Sequence, residues 1–207
     1  MNEQEKIYSR RLMLKLGMAF GSLSLFGGSV FAQQKKRIPA RKNMKNMTTP
    51  EENFKKLGLE LPPTQTPKGV YKPYVIAGNF IYVSGHGPYL PDGDMMRGKI
   101  GAGVEMATGI RAAEQTGLAI LSTLKSAVGS LNKIKRVVKV LGMVNCVDDF
   151  TQHPQVINGC SELFAKIWGE ENGIGVRSAV GMNSLPLNIS VEIEAMFEIG
   201  DQNHDNN

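Results

Sequence analysis

The sequence predicts an α+β domain in which two helices cover one face of a mostly antiparallel sheet. Three observations lead there. From Ile189 to Ile199 the chain alternates strictly. Ile189, Val191, Ile193, Ala195, Phe197 and Ile199 share one face, and Glu192, Glu194 and Glu198 the other, as in a half-buried strand. From Val104 to Val128, apolar and small residues recur every three and four positions, the period of a long helix lying on a core. Strand-like and helix-like segments fall in the order β-β-α-β-α-β-β. The 207 residues suffice for one such domain plus extra segments.

The extra segments come first. Ser9-Arg10-Arg11-Leu12-Met13-Leu14-Lys15 is a twin-arginine pattern, followed by an apolar run from Leu16 to Val30 and the triplet Val30-Phe31-Ala32. Residues 1–32 read as a twin-arginine export signal cleaved after Ala32, which places the mature protein in a bacterial periplasm. The run is too short and too glycine-rich for a stable membrane span, and no cysteine follows it for lipid attachment. Residues 33–50 are basic and polar without an apolar period, a flexible linker. Residues 51–200 form the folded domain, and residues 201–207 a polar, frayed tail.

The elements follow in order. Thr49, Pro50, Glu51 and Glu52 open a short capped helix that Gly58 ends. Pro62, Pro63 and Pro67 make the next stretch an extended loop. Tyr74–Ala77 and Phe80–Ser84 flank Gly78-Asn79 as a β-hairpin. Gly85 to Gly103 is a loop rich in Gly, Pro and Asp. The long helix comes next, and its alanines and glycines predict close packing against the sheet. Lys133–Asn145 is a valine-rich strand, Asp148-Asp149-Phe150 a turn, and His153–Trp168 a second helix. Ile174 to Ile199 is expected to close the fold as a hairpin, two strands around the turn Asn183–Asn188.

Charge narrows the function classes. Ten of the 24 basic residues and two of the 19 acidic ones lie in residues 1–45, so residues 46–207 carry 14 basic against 17 acidic, a net of −3. A domain of that sign is a poor electrostatic match for nucleic acid. Only Cys146 and Cys160 are present, with no metal-ligand spacing. Two buried free thiols are the leading reading, and a disulfide requires the fold to bring them close.

Two residues near the C-terminus are fit for chemistry. Arg177 interrupts a small, apolar run, and Glu192 lies on the polar face of the last strand. Singly, a strand-start arginine serves a surface ion pair and such a glutamate joins a solvated face. Meeting where their strands leave the sheet, they would set an anion anchor beside a carboxylate, suited to an acidic small molecule.

Lys72-Pro73-Tyr74, Tyr82-Val83-Ser84-Gly85, Asn158, Val176-Arg177-Ser178, Leu185-Pro186 and Val191-Glu192-Ile193-Glu194, in this order, resemble the Rid (YjgF-type) reactive-intermediate deaminase family. Older labels for that family include L-PSP endoribonuclease. The segment before the first strand and Asn172-Gly173-Ile174-Gly175 look like a long subgroup. The resemblance implies a chorismate-mutase-like fold and a homotrimer with sites between subunits. It also implies hydrolysis of 2-imino or enamine acids to 2-oxo acids and ammonia, with no cofactor and no metal. By the same resemblance, Arg177 binds the substrate carboxylate through two parallel charge-assisted hydrogen bonds, and Glu192 orients or activates the water. Tyr74, Gly85, Asn158 and Ala179 match substrate-binding positions, Tyr74 reaching from the neighbouring subunit.

From the residues alone, Tyr74 is equally a packed strand-start aromatic, Asn158 a buried hydrogen-bonder between helices, and Gly85 a residue that permits a turn. His86 stands where the family more often has glutamine and enters only as a pocket residue. Ala179 stands where the family often has cysteine, which alters the pocket's shape. The alternative function is a trimeric protein that binds small carboxylates without turnover. A ribonuclease ranks below both, because the domain is net acidic and lacks a basic, aromatic-lined groove.

Overall fold

Backbone hydrogen bonding in the computed structural model, which describes residues 48–200, organises the chain around one mixed sheet. The expected export signal, the linker before residue 48 and the C-terminal tail lie outside the described residues. In chain order the elements are α1 (Pro50–Leu57), β1 (Tyr74–Ala77), β2 (Phe80–His86), the two-residue strands β3 (Lys99–Ile100) and β4 (Gly103–Val104), α2 (Met106–Val128), β5 (Ile134–Asn145), α3 (His153–Gly173), β6 (Val176–Met182) and β7 (Val191–Ile199).

The sheet order is β1-β2-β7-β5-β6. Every neighbouring pair is antiparallel except β5 and β6, which run parallel. The expected fold class holds, with α2 and α3 packed together over one face. The expected closing hairpin does not form. β5 lies between β6 and β7, and each pairs with it instead. The physical reason is the α3 crossover. A 21-residue helix between β5 and β6 is long enough to return the chain parallel to the strand it just left.

α1 begins as its sequence requires. The Thr49 hydroxyl accepts from the Glu52 amide at 3.3 Å, and the Glu52 carboxylate accepts from the Thr49 amide at 2.9 Å, a reciprocal cap. Its Glu51 carboxylate accepts from Lys125 Nζ at 2.9 Å and the Leu131 amide at 2.8 Å, which fastens α1 to the end of α2. α3 is interrupted at Gly169 (φ 76°), so its regular part ends at Trp168 as expected.

Small residues on α2 and α3 also let the two helices approach closely. The space beside Gly117 is filled by Cys160 and Leu163 of α3, and a side chain at Gly159 would strike the Ile110 carbonyl. They bring helix against helix. Between helices and sheet, the rings of Phe164, Trp168 and Phe197 meet with centroids 5.6–5.9 Å apart. Cys146 and Cys160 are both buried and free.

Among the described residues, no helix covers the opposite face of the sheet. Val75, Phe80, Tyr82, Val176 and Val180 are exposed there, beside Lys139 and Glu194.

Candidate active site

Strand parity decides where Arg177 and Glu192 point. Arg177 is in register with Val140, and Val140 with Ala195, so all three side chains lie on the helix-covered face. Glu192 is in register with Met143 and lies on the bare face. The two residues that were expected to meet are therefore on opposite faces of one sheet. Within a single chain they do not form a site.

Arg177 stands on the edge strand β6, exposed, against α3. Its Nη1 donates to Asn158 Oδ1 at 2.9 Å and to Ser161 Oγ at 3.0 Å, and its Nη2 donates to the Pro154 carbonyl at 3.3 Å. Asn158 and Ser161 are three apart on α3 and so share a face. All three acceptors are neutral. No ion pair to Arg177 occurs among the described residues. The guanidinium is held in place while its charge stays uncompensated, which is the condition for anchoring an external carboxylate. Ala179 follows two residues later on the same face, half-buried against the core. Neither cavity described below includes Arg177.

Glu192 lies in a different setting. On β2, Val83 pairs with Ala195 and His86 with Ile193, so β2 spends three residues where β7 spends two. That bulge at Ser84-Gly85 turns His86 inward and leaves Gly85 facing Glu192. A Cβ at Gly85 would collide with the Glu192 carboxylate, so the side chain lies across the strand only because Gly85 has none. Burial raises the Glu192 pKa above the ordinary carboxylate value, and the charge of Glu194 adds to the rise. Glu192 and Gly85 line a cavity of about 580 Å³, walled by Pro67 and Tyr71 on the loop before β1, and by Tyr89 and Leu187.

Leu187 sits at that wall in the left-handed region (φ 56°), and so does Asn188 (φ 55°). For a leucine this backbone costs about 1–2 kcal/mol. Asn188 fixes the turn: its carbonyl accepts from the Gly98 amide at 2.7 Å, and its Oδ1 accepts from Asn145 Nδ2 at 3.1 Å. The Leu187 side chain remains 54 % exposed.

Tyr74 is half-buried, packs against the core, and borders a second cavity of about 600 Å³ on the bare face with Tyr82, Lys139 and Glu194. Ser84 borders both cavities. His86 is 5 % exposed. Its Nδ1–H donates to the Ser84 carbonyl at 2.7 Å, so its Nε2 accepts from the Thr123 hydroxyl at 2.8 Å. Burial holds its pKa below the ordinary value, and both ring nitrogens are occupied. It is a structural side chain, not a free base. Cys146 Sγ lies 3.4 Å from His153 Nε2, but burial raises the thiol pKa, so the pair does not supply a thiolate. Among the described residues, no group of three or more His, Cys, Asp or Glu is placed to hold a metal. No described helix is long and apolar enough to cross a membrane.

Sequence reasoning did not find Ser161, the Pro154 carbonyl, Tyr71 or Leu187. Ser161 was within reach, since it lies three residues beyond Asn158 on one helix. So was the Pro154 carbonyl, in the first turn of the same helix, whereas Tyr71 and Leu187 depend on loop and turn conformations with no periodic signal.

A sheet of this order under two helices, with Arg177 on its edge and Glu192 against a bulge, defines a class. The family model described as "YjgF/chorismate_mutase-like, putative endoribonuclease" matches residues 51–198, and the chain belongs to that family. The chain is similar to Protein TCP17 of Trypanosoma cruzi, 37% identical over 147 residues that cover 71% of this chain and 92% of that protein. Its fold resembles the crystal structure of Atu1372, a protein of unknown function from Agrobacterium tumefaciens. That match is 43% identical with a TM-score of 0.67, over 73% of this chain and 94% of the other. A Shewanella oneidensis protein bearing the same endoribonuclease label is 32% identical with a TM-score of 0.70, over 73% of this chain and all of the other (100%).

Proposed function

We propose that this protein hydrolyses 2-imino or enamine acids to 2-oxo acids and ammonia, without a cofactor, in a site assembled from two copies of the chain. One observation carries the reading: Arg177 is preset at an open sheet edge by neutral acceptors, with no ion pair among the described residues. A second supports it, the half-buried Glu192 carboxyl with a raised pKa at the wall of a cavity. These halves lie on opposite faces, so only a neighbouring copy can bring an Arg177 to a Glu192. The uncovered sheet face, with its exposed valines and aromatics, gives such copies a surface on which to assemble, and we place them as a homotrimer.

The chemistry divides between the halves. Arg177 of one copy holds the substrate carboxylate, with Asn158 and Ser161 positioning its guanidinium and Ala179 leaving room beside it. Gly85 of the other copy lines the approach to C2, and Tyr74 borders the neighbouring cavity that shares Ser84 with it. Glu192 takes a proton from water as the water oxygen bonds to C2 and the C=N pair moves to nitrogen, which takes a proton from solvent. Glu192 then returns its proton to that nitrogen. The C–N bond then breaks as the hydroxyl oxygen forms the C=O bond and gives its proton to solvent, and ammonia leaves. The imine is already electrophilic, so positioning and one proton handler suffice. The raised pKa brings Glu192 nearer the working pH, where one group can both accept and return a proton.

The test is complementation. Arg177→Ala and Glu192→Gln proteins should each fail to accelerate hydrolysis of an enzymatically generated 2-imino acid. When the two are co-assembled, about a quarter of wild-type activity should return, the share of interfaces that join two intact halves under random mixing. No recovery rules out the shared site. Ligand binding without acceleration by the wild type leaves a carboxylate-binding trimer instead. We further propose export by the twin-arginine route, with the mature chain starting at Gln33 in the periplasm. Recovery of that N-terminus from a periplasmic extract is the check.

A further inference from the structure

We propose that the cavity beside Glu192 is a side-chain pocket selecting 2-imino acids with aromatic or large aliphatic side chains, with Tyr71 and Leu187 as its specificity-determining walls. The proposal rests on the imine reading above and adds the class of substrate.

Size is the first argument. The cavity of about 580 Å³ lies in the range of pockets that enclose drug-sized ligands, and a three-carbon imino acid would leave most of it to water. Lining chemistry is the second. Away from the Glu192 carboxyl the walls include Pro67, Tyr71, Tyr89, Met95, Leu187 and Ile189, suited to an apolar group. Gln65, Thr66, Lys68, Ser84 and His86 also border the cavity, and among the described residues no second acidic one does. Strain is the third. Leu187 adopts a left-handed conformation that glycine would take freely, and it gains no burial by doing so, since its side chain stays half exposed. Asn188 locks that turn through its bonds to Gly98 and Asn145. The loop therefore holds an apolar side chain over the cavity at a cost that its own packing does not recover. Tyr71 is likewise 53 % exposed on the other wall. Two half-exposed apolar side chains face one cavity, and an apolar substrate group between them would bury both.

The orientation follows from Glu192. The reacting C2 must lie beside its carboxyl, so the side chain of the imino acid extends from there between Tyr71 and Leu187.

The experiment uses the full-length chain with imino acids generated by an amino-acid oxidase from phenylalanine, leucine and alanine. The expected kcat/KM for the phenylalanine- and leucine-derived imines is at least tenfold above that for the alanine-derived one. Leu187→Gly, which the backbone accepts, and Tyr71→Ala should each reduce that ratio at least fivefold. Equal rates across side-chain sizes, or a preference that survives both substitutions, would overturn the pocket while leaving the imine reading intact. If no imine is hydrolysed faster than in buffer, the imine reading fails, and calorimetry then decides the pocket. Binding of phenylpyruvate tighter than pyruvate, with the difference lost in Leu187→Gly, upholds it; equal binding overturns it.

Discussion

The two faces of this sheet treat charge in opposite ways. On the helix-covered side, the Arg177 cation is exposed at an edge strand and braced by three neutral acceptors. On the bare side, the Glu192 carboxyl is half-buried, without an ion pair among the described residues, and pressed across a glycine. The first arrangement costs little, because water still solvates the cation and the hydrogen bonds only fix its direction. The second is destabilising at neutral pH, because burial and Glu194 both oppose its ionisation. A binding residue needs direction, whereas a proton handler needs a pKa near the working pH. The sheet fixes the direction of a cation on one face and raises the pKa of a carboxyl on the other, and a single chain cannot join them.

The largest expected effect breaks the first half. Arg177→Ala should lower kcat/KM for a 2-imino acid by ~10³-fold, the loss of a preorganised charged donor pair. Tm should move by no more than about 2 °C, because the residue is exposed and its partners can turn to water. A large drop in Tm alongside lost activity would make Arg177 a structural residue and remove the contrast.

Next comes the glycine that serves the second half. Gly85→Ala puts a methyl group where the Glu192 carboxylate rests, and the flexible glutamate swings away before the backbone yields. Displacing a proton handler by an ångström or more costs about 10²-fold in kcat. The check is kcat against KM at saturating substrate. Unchanged kcat would mean that the position of Glu192 does not matter to the reaction.

Much of this fold is legible in the sequence. The alternation of β7 fixed its two faces, and the three-and-four period fixed α2, because each pattern is local and repeats many times. The cap of α1 was equally legible, since Thr49, Pro50 and Glu52 each act within one turn. Pairing was not. β6 and β7 are adjacent in sequence and were expected to pair, but a strand's neighbour is set by its crossover, and β5 claimed both. The same gap hid the facing of two residues: Arg177 and Glu192 each stand out in the sequence, but whether they meet within one chain depends on register across three strands. Gly85 was read as a residue that permits a turn, while its packing role depends on a bulge invisible in β2 alone.

The smallest effect sharpens the energetic side of the contrast. The folded pKa of Glu192 is raised, so between its unfolded and folded values the native state holds more protons than the unfolded state. The stability contributed by the protonated carboxyl is present below the ordinary carboxylate pKa and lost as pH rises through the raised one. At pH 7 the ionised group therefore weighs against the fold. Glu192→Gln removes that burden, so the variant should melt slightly above wild type at pH 7, with the gap closing as pH falls below the ordinary carboxylate range. Arg177→Ala should show no such pH-dependent gap, since the residue is exposed and its hydrogen-bond acceptors are neutral. Paired thermal melts from pH 4 to pH 8 read both. A Glu192→Gln protein that melts lower than wild type at pH 7 would mean that the carboxylate is stabilising, and the two faces would no longer differ in the way they hold charge.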